Sequence, residues 1–268
     1  MQSIVCFTSD FGTNDGWVGV CHAVIYRSCP QVRVVDLAHD IPPFDIRKAA
    51  AVAAAGVWQL PDAIHLVVAD PGVGGGRRDL VLVTASGSVL VGPDNGVLLP
   101  ATWRGGGISR AYAIDATHLD FHAPLATFHA RDVLAPAAAL LACGVDVAAF
   151  GEPVDPITLV EAPFHQGRRE GDAITAEVID LDRFGSIRIA ISADDVAADS
   201  LDRGRLEVVL GHARIELPFG RTYSDVEDGD PIALIDSSGW LTVAIRLGSA
   251  AERYAVEPGM VVHVRALG

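Results

Sequence analysis

Positive charge is scarce in this chain: 20 Lys and Arg stand against 34 Asp and Glu, for a formal net charge of -14. A phosphate backbone rewards basic surfaces and repels acidic ones, so nucleic acid is not an expected partner. Cysteines are also few. Cys6, Cys21, Cys29 and Cys143 show no metal-ligand spacing and no disulfide framework, which predicts reduced thiols and a cytoplasmic location. The opening Met-Gln-Ser-Ile-Val-Cys-Phe lacks the basic region and long apolar stretch of a secretory signal. No apolar run reaches membrane length, since Ala49 to Val57 is short, rich in alanine and reads as a buried helix. His22, His39, His65, His122 and His165 form no HExxH or other helical ligand pair, so no metal is expected. Gly-x-Ser-x-Gly, the common serine-hydrolase elbow, is absent. The glycine-rich run Ala-Asp-Pro-Gly-Val-Gly-Gly-Gly-Arg-Arg at 69–78 has neither the lysine of a P-loop nor the GxGxxG spacing before a helix, so phosphate cradling is unsupported.

What is present is ample hydrophobic material, 50% of 268 residues, enough for one large domain or two unequal ones. Up to Gly151 short β-branched runs alternate with alanine-rich stretches. Strands are predicted over Ser3 to Thr8, Val32 to Leu37 and Ile64 to Val68, and helices over Trp17 to Ser28 and Ile46 to Trp58. A hairpin across Ser86-Gly87 joins Val81–Ala85 to Val89–Val91, and a helix over Val133 to Ala142 can end at Gly144. This pattern predicts an α/β/α sandwich with a mostly parallel sheet over residues 1–152. Residues 153–172, with Pro153, Pro156, Pro163 and a polar run, suit a linker. From Ala173 to the end, seven short strand-like runs with little helix predict a smaller, antiparallel β-barrel-like domain.

Several side chains sit where strands should end, which is where an α/β protein presents groups to a ligand. Asp10 follows the first strand; it can bind a ribose diol or bond its own turn. Asp70 projects from the glycine-rich run, whose backbone can approach a ligand closely. Arg77 can return across that loop to pair with a carboxylate, either in a site or as a structural ion pair. His129, at a strand-to-helix junction, suits a catalyst or a hydrogen-bonded structural residue. Tyr223 can wall an aromatic ligand or fill a barrel core.

Five segments together resemble one family. Thr-Ser-Asp-Phe-Gly at 8–12, the run at 69–78, Val-Gly-Pro-Asp-Asn-Gly at 91–96, Phe-His-Ala-Arg-Asp at 128–132 and Asp-Arg-Phe-Gly at 182–185 are similar to the S-adenosylmethionine hydroxide adenosyltransferases. These are relatives of the fluorinating and chlorinating enzymes that use water instead of halide. The resemblance implies that Asp10 holds the ribose hydroxyls and that Asp70, Arg77 and His129 act on the water. The halide-using relatives carry tyrosine at the Asp70 and His129 positions, and tryptophan at the Phe44 position. It also implies that Asp182 faces the methionine amino group, that Phe184 lines the site and that Ser237 meets the methionine carboxylate, with Tyr223 beside adenine. The chain departs from the family at Ala130, usually glycine, at Ser186, usually an asparagine contacting adenine, and at Asp236, usually asparagine.

The expected reaction is hydrolysis of S-adenosyl-L-methionine to adenosine and L-methionine, by in-line attack of an activated water at the 5′ carbon. The thioether leaves readily, whereas water must be oriented and relieved of its proton. No metal or other cofactor is expected. Asp10 and Asp182 fall in different domains, so a site between subunits is expected, and the resemblance implies a homotrimer. Two alternatives stay open: a metal-dependent hydrolase built from Asp10, Asp70 and His129, and a non-catalytic nucleoside-binding protein.

Overall fold

Parallel strands need helical crossovers, and the alternation in the first half of the chain supplies them. A computed structural model describes residues 4–117, 125–198, 201 and 204–267; Ser3 and His122 lie outside these described residues. The chain divides into two compact units, one reaching Pro163 and the other starting at Phe164.

In the first unit, strands β1 (Ile4–Ser9), β2 (Arg33–Ala38), β3 (Ile64–Val68), β4 (Asp79–Thr84), β5 (Val89–Pro93) and β6 (Ile108–Ala113) form one sheet in the order β2-β1-β3-β5-β4-β6. β1 pairs in parallel with β2 and β3, and β3 with β5, while β4 runs antiparallel to both its neighbours. Helices α1 (Trp17–Ser28), α2 (Ile46–Gln59), α3 (Leu99–Arg104) and α4 (Ala135–Ala142) cover it. Val5, Phe7, Leu66 and Val68, alternate residues of two strands, pack with Cys21, Ile25 and Leu134 on the face covered by α1 and α4. His65 points the other way, toward α2. There the approach is close, since a Cβ at Gly56 would lie 2.8 Å from Leu37 Cδ1. Asp45 caps α2 by accepting the Lys48 N–H at 2.8 Å.

The helix predicted from Val133 begins earlier. Residues Ala130–Leu134 form a π-helical turn leading into α4, whose first turn holds Pro136 and so lacks one N–H donor.

The expectation of reduced thiols is corrected in part: Cys29 and Cys143 form a disulfide, with Cα atoms 5.9 Å apart. Each is the C-cap of a helix, and the packing of α1 on α4 brings the two ends together across 114 residues of sequence. Closing so long a loop is worth about 4–5 kcal/mol in the chain-entropy account. The disulfide removes the thiol argument for a reducing compartment. Cys6 and Cys21 are free, and burial pushes their thiols up to about 11 and about 12. Among the described residues no helix is long and apolar enough to cross a membrane.

The second unit is an antiparallel sheet of β7 (Arg168–Glu170), β8 (Ala173–Leu181), β9 (Ile187–Ser192), β10 (Arg205–Leu210), β11 (Ala213–Pro218), β12 (Pro231–Ile235), β13 (Trp240–Ile245) and β14 (Val261–Leu267). The order is β11-β10-β14-β8-β9-β13-β12, with β7 added beside β8. Just past β11, Phe219 bridges Ala233 of β12, so the two edge strands meet and the sheet nearly closes as a barrel. Two short helices, α5 (Ala193–Ala198) and α6 (Ala250–Tyr254), interrupt the strands.

Candidate functional site

The C-terminal ends of β1 and β3 lie side by side in the sheet, and each is followed by a carboxylate. Asp10 donates its backbone N–H to the Val68 carbonyl at 3.2 Å. Its Oδ2 accepts the Phe44 N–H at 2.9 Å, which holds Phe44 in a left-handed turn at φ 69° with its ring largely exposed. Asp70 follows Ala69, whose carbonyl is pinned at 2.8 Å by the Asn95 side-chain amide. The segment at 91–96 thus supports the Asp70 loop. Gly74 has φ 77°, and a Cβ there would collide with the Ala126 carbonyl, so that loop needs glycine.

Behind Asp70 lies a chain of buried ionic contacts. Arg77 Nε donates to Asp70 Oδ1 at 3.0 Å and Oδ2 at 2.9 Å, and its Nη2 donates to Oδ2 as well. Arg77 Nη1 reaches Asp79 Oδ1 at 2.6 Å, and the other oxygen of Asp79 meets His129 Nδ1 at 2.7 Å. Asp79 is 8% exposed. Burial pulls the Arg77 guanidinium down, but the hydrogen bonds it donates to Asp70 and the charges of Asp79 and Asp70 outweigh it and hold it above its ordinary value, so it stays a cation. With Nδ1 facing Asp79, His129 has Nε2 for other partners. Asp10, Trp17, Phe44, Asp70, Phe128 and His129 line a cleft of about 430 Å³. Phe11 packs edge-on against Trp17 and Phe128, with ring centres 5.9 and 5.8 Å apart, stiffening its apolar wall.

Sequence reasoning did not single out Asp79. The signal was available: a carboxylate opens the apolar strand Asp-Leu-Val-Leu-Val-Thr two residues after Arg77, and a buried strand tolerates a charge there only if it is paired.

The second unit gathers the remaining candidates. Asp182 Oδ1 accepts the N–H groups of Phe184 and Ser186, both at 2.8 Å, leaving Oδ2 outside the turn. Gly185 has φ 78°, and any Cβ would run into the Ser249 side chain. Asp182, Phe184, Ser186, Tyr223 and Ser237 line one cleft of about 850 Å³. Arg188 braces its floor, with Nε 2.6 Å from Asp236 Oδ2 and Nη1 3.1 Å from Asp180 Oδ2. Asp236 Oδ1 accepts the Ser238 N–H at 2.8 Å, shaping the turn that presents Ser237. Burial raises the Tyr223 hydroxyl pKa, and the nearby Asp236 and Asp182 carboxylates raise it further, so the phenol stays protonated. Phe184 and Leu247 are 78% and 85% exposed, an apolar rim on an otherwise polar cleft.

The ligand set of a metal-dependent hydrolase is not assembled. Among the described residues, Asp10, Asp70 and His129 do not come together as a group of metal ligands. They are engaged instead by Phe44, Arg77 and Asp79.

Comparison with known families now decides the kinship. A model of the SAM hydroxide adenosyltransferase N-terminal domain matches residues 5–151, and one of the C-terminal domain matches residues 176–263. The chain belongs to this family. An (R)-S-adenosyl-L-methionine hydrolase from Salinispora tropica is 42% identical, over 95% of this chain and 95% of that one. A fluorinase from Actinopolyspora mzabensis is more distant, 28% identical over 98% of this chain and 97% of its own. The crystal structure of an uncharacterized conserved protein from Thermotoga maritima superimposes with a TM-score of 0.88 at 29% identity, covering 98% of this chain and all of the other. These relatives favour neither the metal-dependent hydrolase nor the non-catalytic binder.

Proposed function

We propose that this enzyme hydrolyses S-adenosyl-L-methionine to adenosine and L-methionine, with water attacking the 5′ carbon in line with the carbon-sulfur bond. The observation that carries the reading is the chain of contacts Asp70–Arg77–Asp79–His129 at the wall of a cleft that also holds Asp10. Relatives named as hydrolases of the R sulfonium epimer extend the same substrate to this chain.

Each residue then has a task. Asp10, anchored by the Phe44 N–H, accepts hydrogen bonds from the two ribose hydroxyls. Phe44 covers the nucleoside. Asp70 orients the water, and both its oxygens already accept Arg77 N–H groups. His129 takes the proton. Its Nδ1–H is held by Asp79, so Nε2 can take the proton and Asp79 can stabilise the imidazolium that forms. As oxygen bonds to the 5′ carbon, the carbon-sulfur electron pair leaves on sulfur. The sulfonium becomes neutral methionine without needing an acid.

In the second cleft, Asp182 faces the methionine amino group, Ser237 its carboxylate, and Tyr223, Phe184 and Ser186 the adenine. The working form is a homotrimer in which each substrate is held by the first cleft of one subunit and the second cleft of another, and no metal or other cofactor takes part. Incubation with each sulfonium epimer, followed by chromatography, tests the reading. Stoichiometric adenosine and methionine from the R epimer support it; no turnover of either epimer overturns it.

A further inference from the structure

Outside both clefts, His22 of α1, Asp36 of β2 and His39 just past β2 bring two imidazole nitrogens and a carboxylate oxygen within 4.8 Å of one another. His22 Nε2 lies 2.8 Å and His39 Nε2 2.9 Å from the same atom, Asp36 Oδ1. The two contacts differ in kind. The first has hydrogen-bond geometry, whereas the second does not, so His39 Nε2 is a buried polar atom without a hydrogen-bond partner. The His39 side chain is only 5% exposed, and that nitrogen is aimed into the cluster.

On its far side the His39 ring is fixed. Nδ1 lies 2.7 Å from Ser9 Oγ, and the Phe7 ring meets it edge-on at 4.8 Å. Ser9 Oγ also accepts the Phe11 N–H at 3.3 Å. In the tautomer that gives Nδ1–H to Ser9, Nε2 presents a lone pair to the cluster, where a metal ion can take the place of the proton otherwise shared with Asp36.

We propose that His22, Asp36 and His39 form a binding site for a divalent transition metal of the zinc class, with both Nε2 atoms and the carboxylate as ligands and water completing the shell. Two imidazoles and one carboxylate suit such an ion and not magnesium, which prefers an all-oxygen shell. Bonds of about 2.0–2.1 Å in a tetrahedral shell set the ligand atoms about 3.3 Å apart. The two nitrogen–oxygen separations therefore have to open by about half an ångström, and the His22 and Asp36 side chains are only partly buried. Ser9 on the outer nitrogen of His39 is the supporting contact that metal-bound histidines characteristically make. The His39 carbonyl also accepts the Gly12 N–H at 2.8 Å, so an ion here ties down the Ser9–Gly12 turn that carries Asp10.

Calorimetric titration of chelator-treated full-length protein with zinc chloride tests the site. Expected are one zinc per chain, no comparable heat with magnesium chloride, and at least tenfold weaker zinc binding in His22→Ala. Zinc should also raise the melting temperature of the parent chain and not that of the variant. His22→Gln, which keeps a donor toward Asp36 but no imidazole, gives the same comparison should the alanine form not fold. No stoichiometric zinc binding, magnesium binding of equal strength, or undiminished zinc affinity in the His22 variant overturns the proposal.

Discussion

Asp79 and His129 are separated by 50 residues in sequence and by 2.7 Å in space, and that contact fixes which nitrogen of the imidazole faces away from the protein. The same carboxylate receives Arg77, so one buried residue joins the guanidinium behind Asp70 to the His129 imidazole.

If Asp79 orients the base, Asp79→Asn should lower kcat by about 10² or more, because the amide can donate to Nδ1 and reverse the tautomer. KM and adenosine affinity should change little, since Asp79 is buried behind Arg77 and His129. Steady-state kinetics with calorimetric adenosine titration checks this, and a rate near that of the parent would reduce the contact to a structural one.

Arg77→Lys keeps the charge but loses the fork that serves Asp70 and Asp79 together. A lysine ammonium can serve one of the two carboxylates but not both, which leaves the other without its partner. The variant should melt at a clearly lower temperature and lose about 10² in turnover. Thermal unfolding and kinetics read the two effects separately. A lysine variant with full activity would show that the bidentate geometry is dispensable.

Ser186 is buried at the edge of the second cleft, in a position where the family resemblance implies asparagine. A serine hydroxyl offers one rotatable donor, whereas an asparagine presents donor and acceptor together, a difference of about 0.5–1.5 kcal/mol per contact. Ser186→Asn should therefore tighten adenosine several-fold and leave the chemical step nearly unchanged. Unaltered or weaker binding by calorimetry would mean that adenine sits elsewhere.

Much of the fold was legible because periodicity is local. Trp17–Ser28 and Ile64–Val68 occur over the predicted residues, and the Ser86-Gly87 hairpin forms where the turn pair stands. Leu99–Arg104 was missed because six residues with a proline in the first turn carry no helical period. Ile108–Ala113 was missed because it alternates weakly and follows a glycine run. Asp10 and Asp70 stand at strand ends, as their places in the sequence suggest, and line the first cleft. What stayed hidden depends on tertiary packing. That Asp79 needs a partner can be read from its apolar strand, but which partners it has is set only when Arg77 and His129 fold beside it. Cys29 and Cys143 acquire meaning only when α1 packs on α4, and His22 meets Asp36 and His39 only across a helix and a strand.

The central claim is that water is the nucleophile, and the origin of the new oxygen tests it most directly. Turnover of S-adenosyl-L-methionine in water labelled with heavy oxygen, at physiological chloride, should yield adenosine carrying the label at its 5′ hydroxyl, with unlabelled methionine. Adenosine without label, or accumulation of a 5′-halogenated adenosine in its place, would contradict the account.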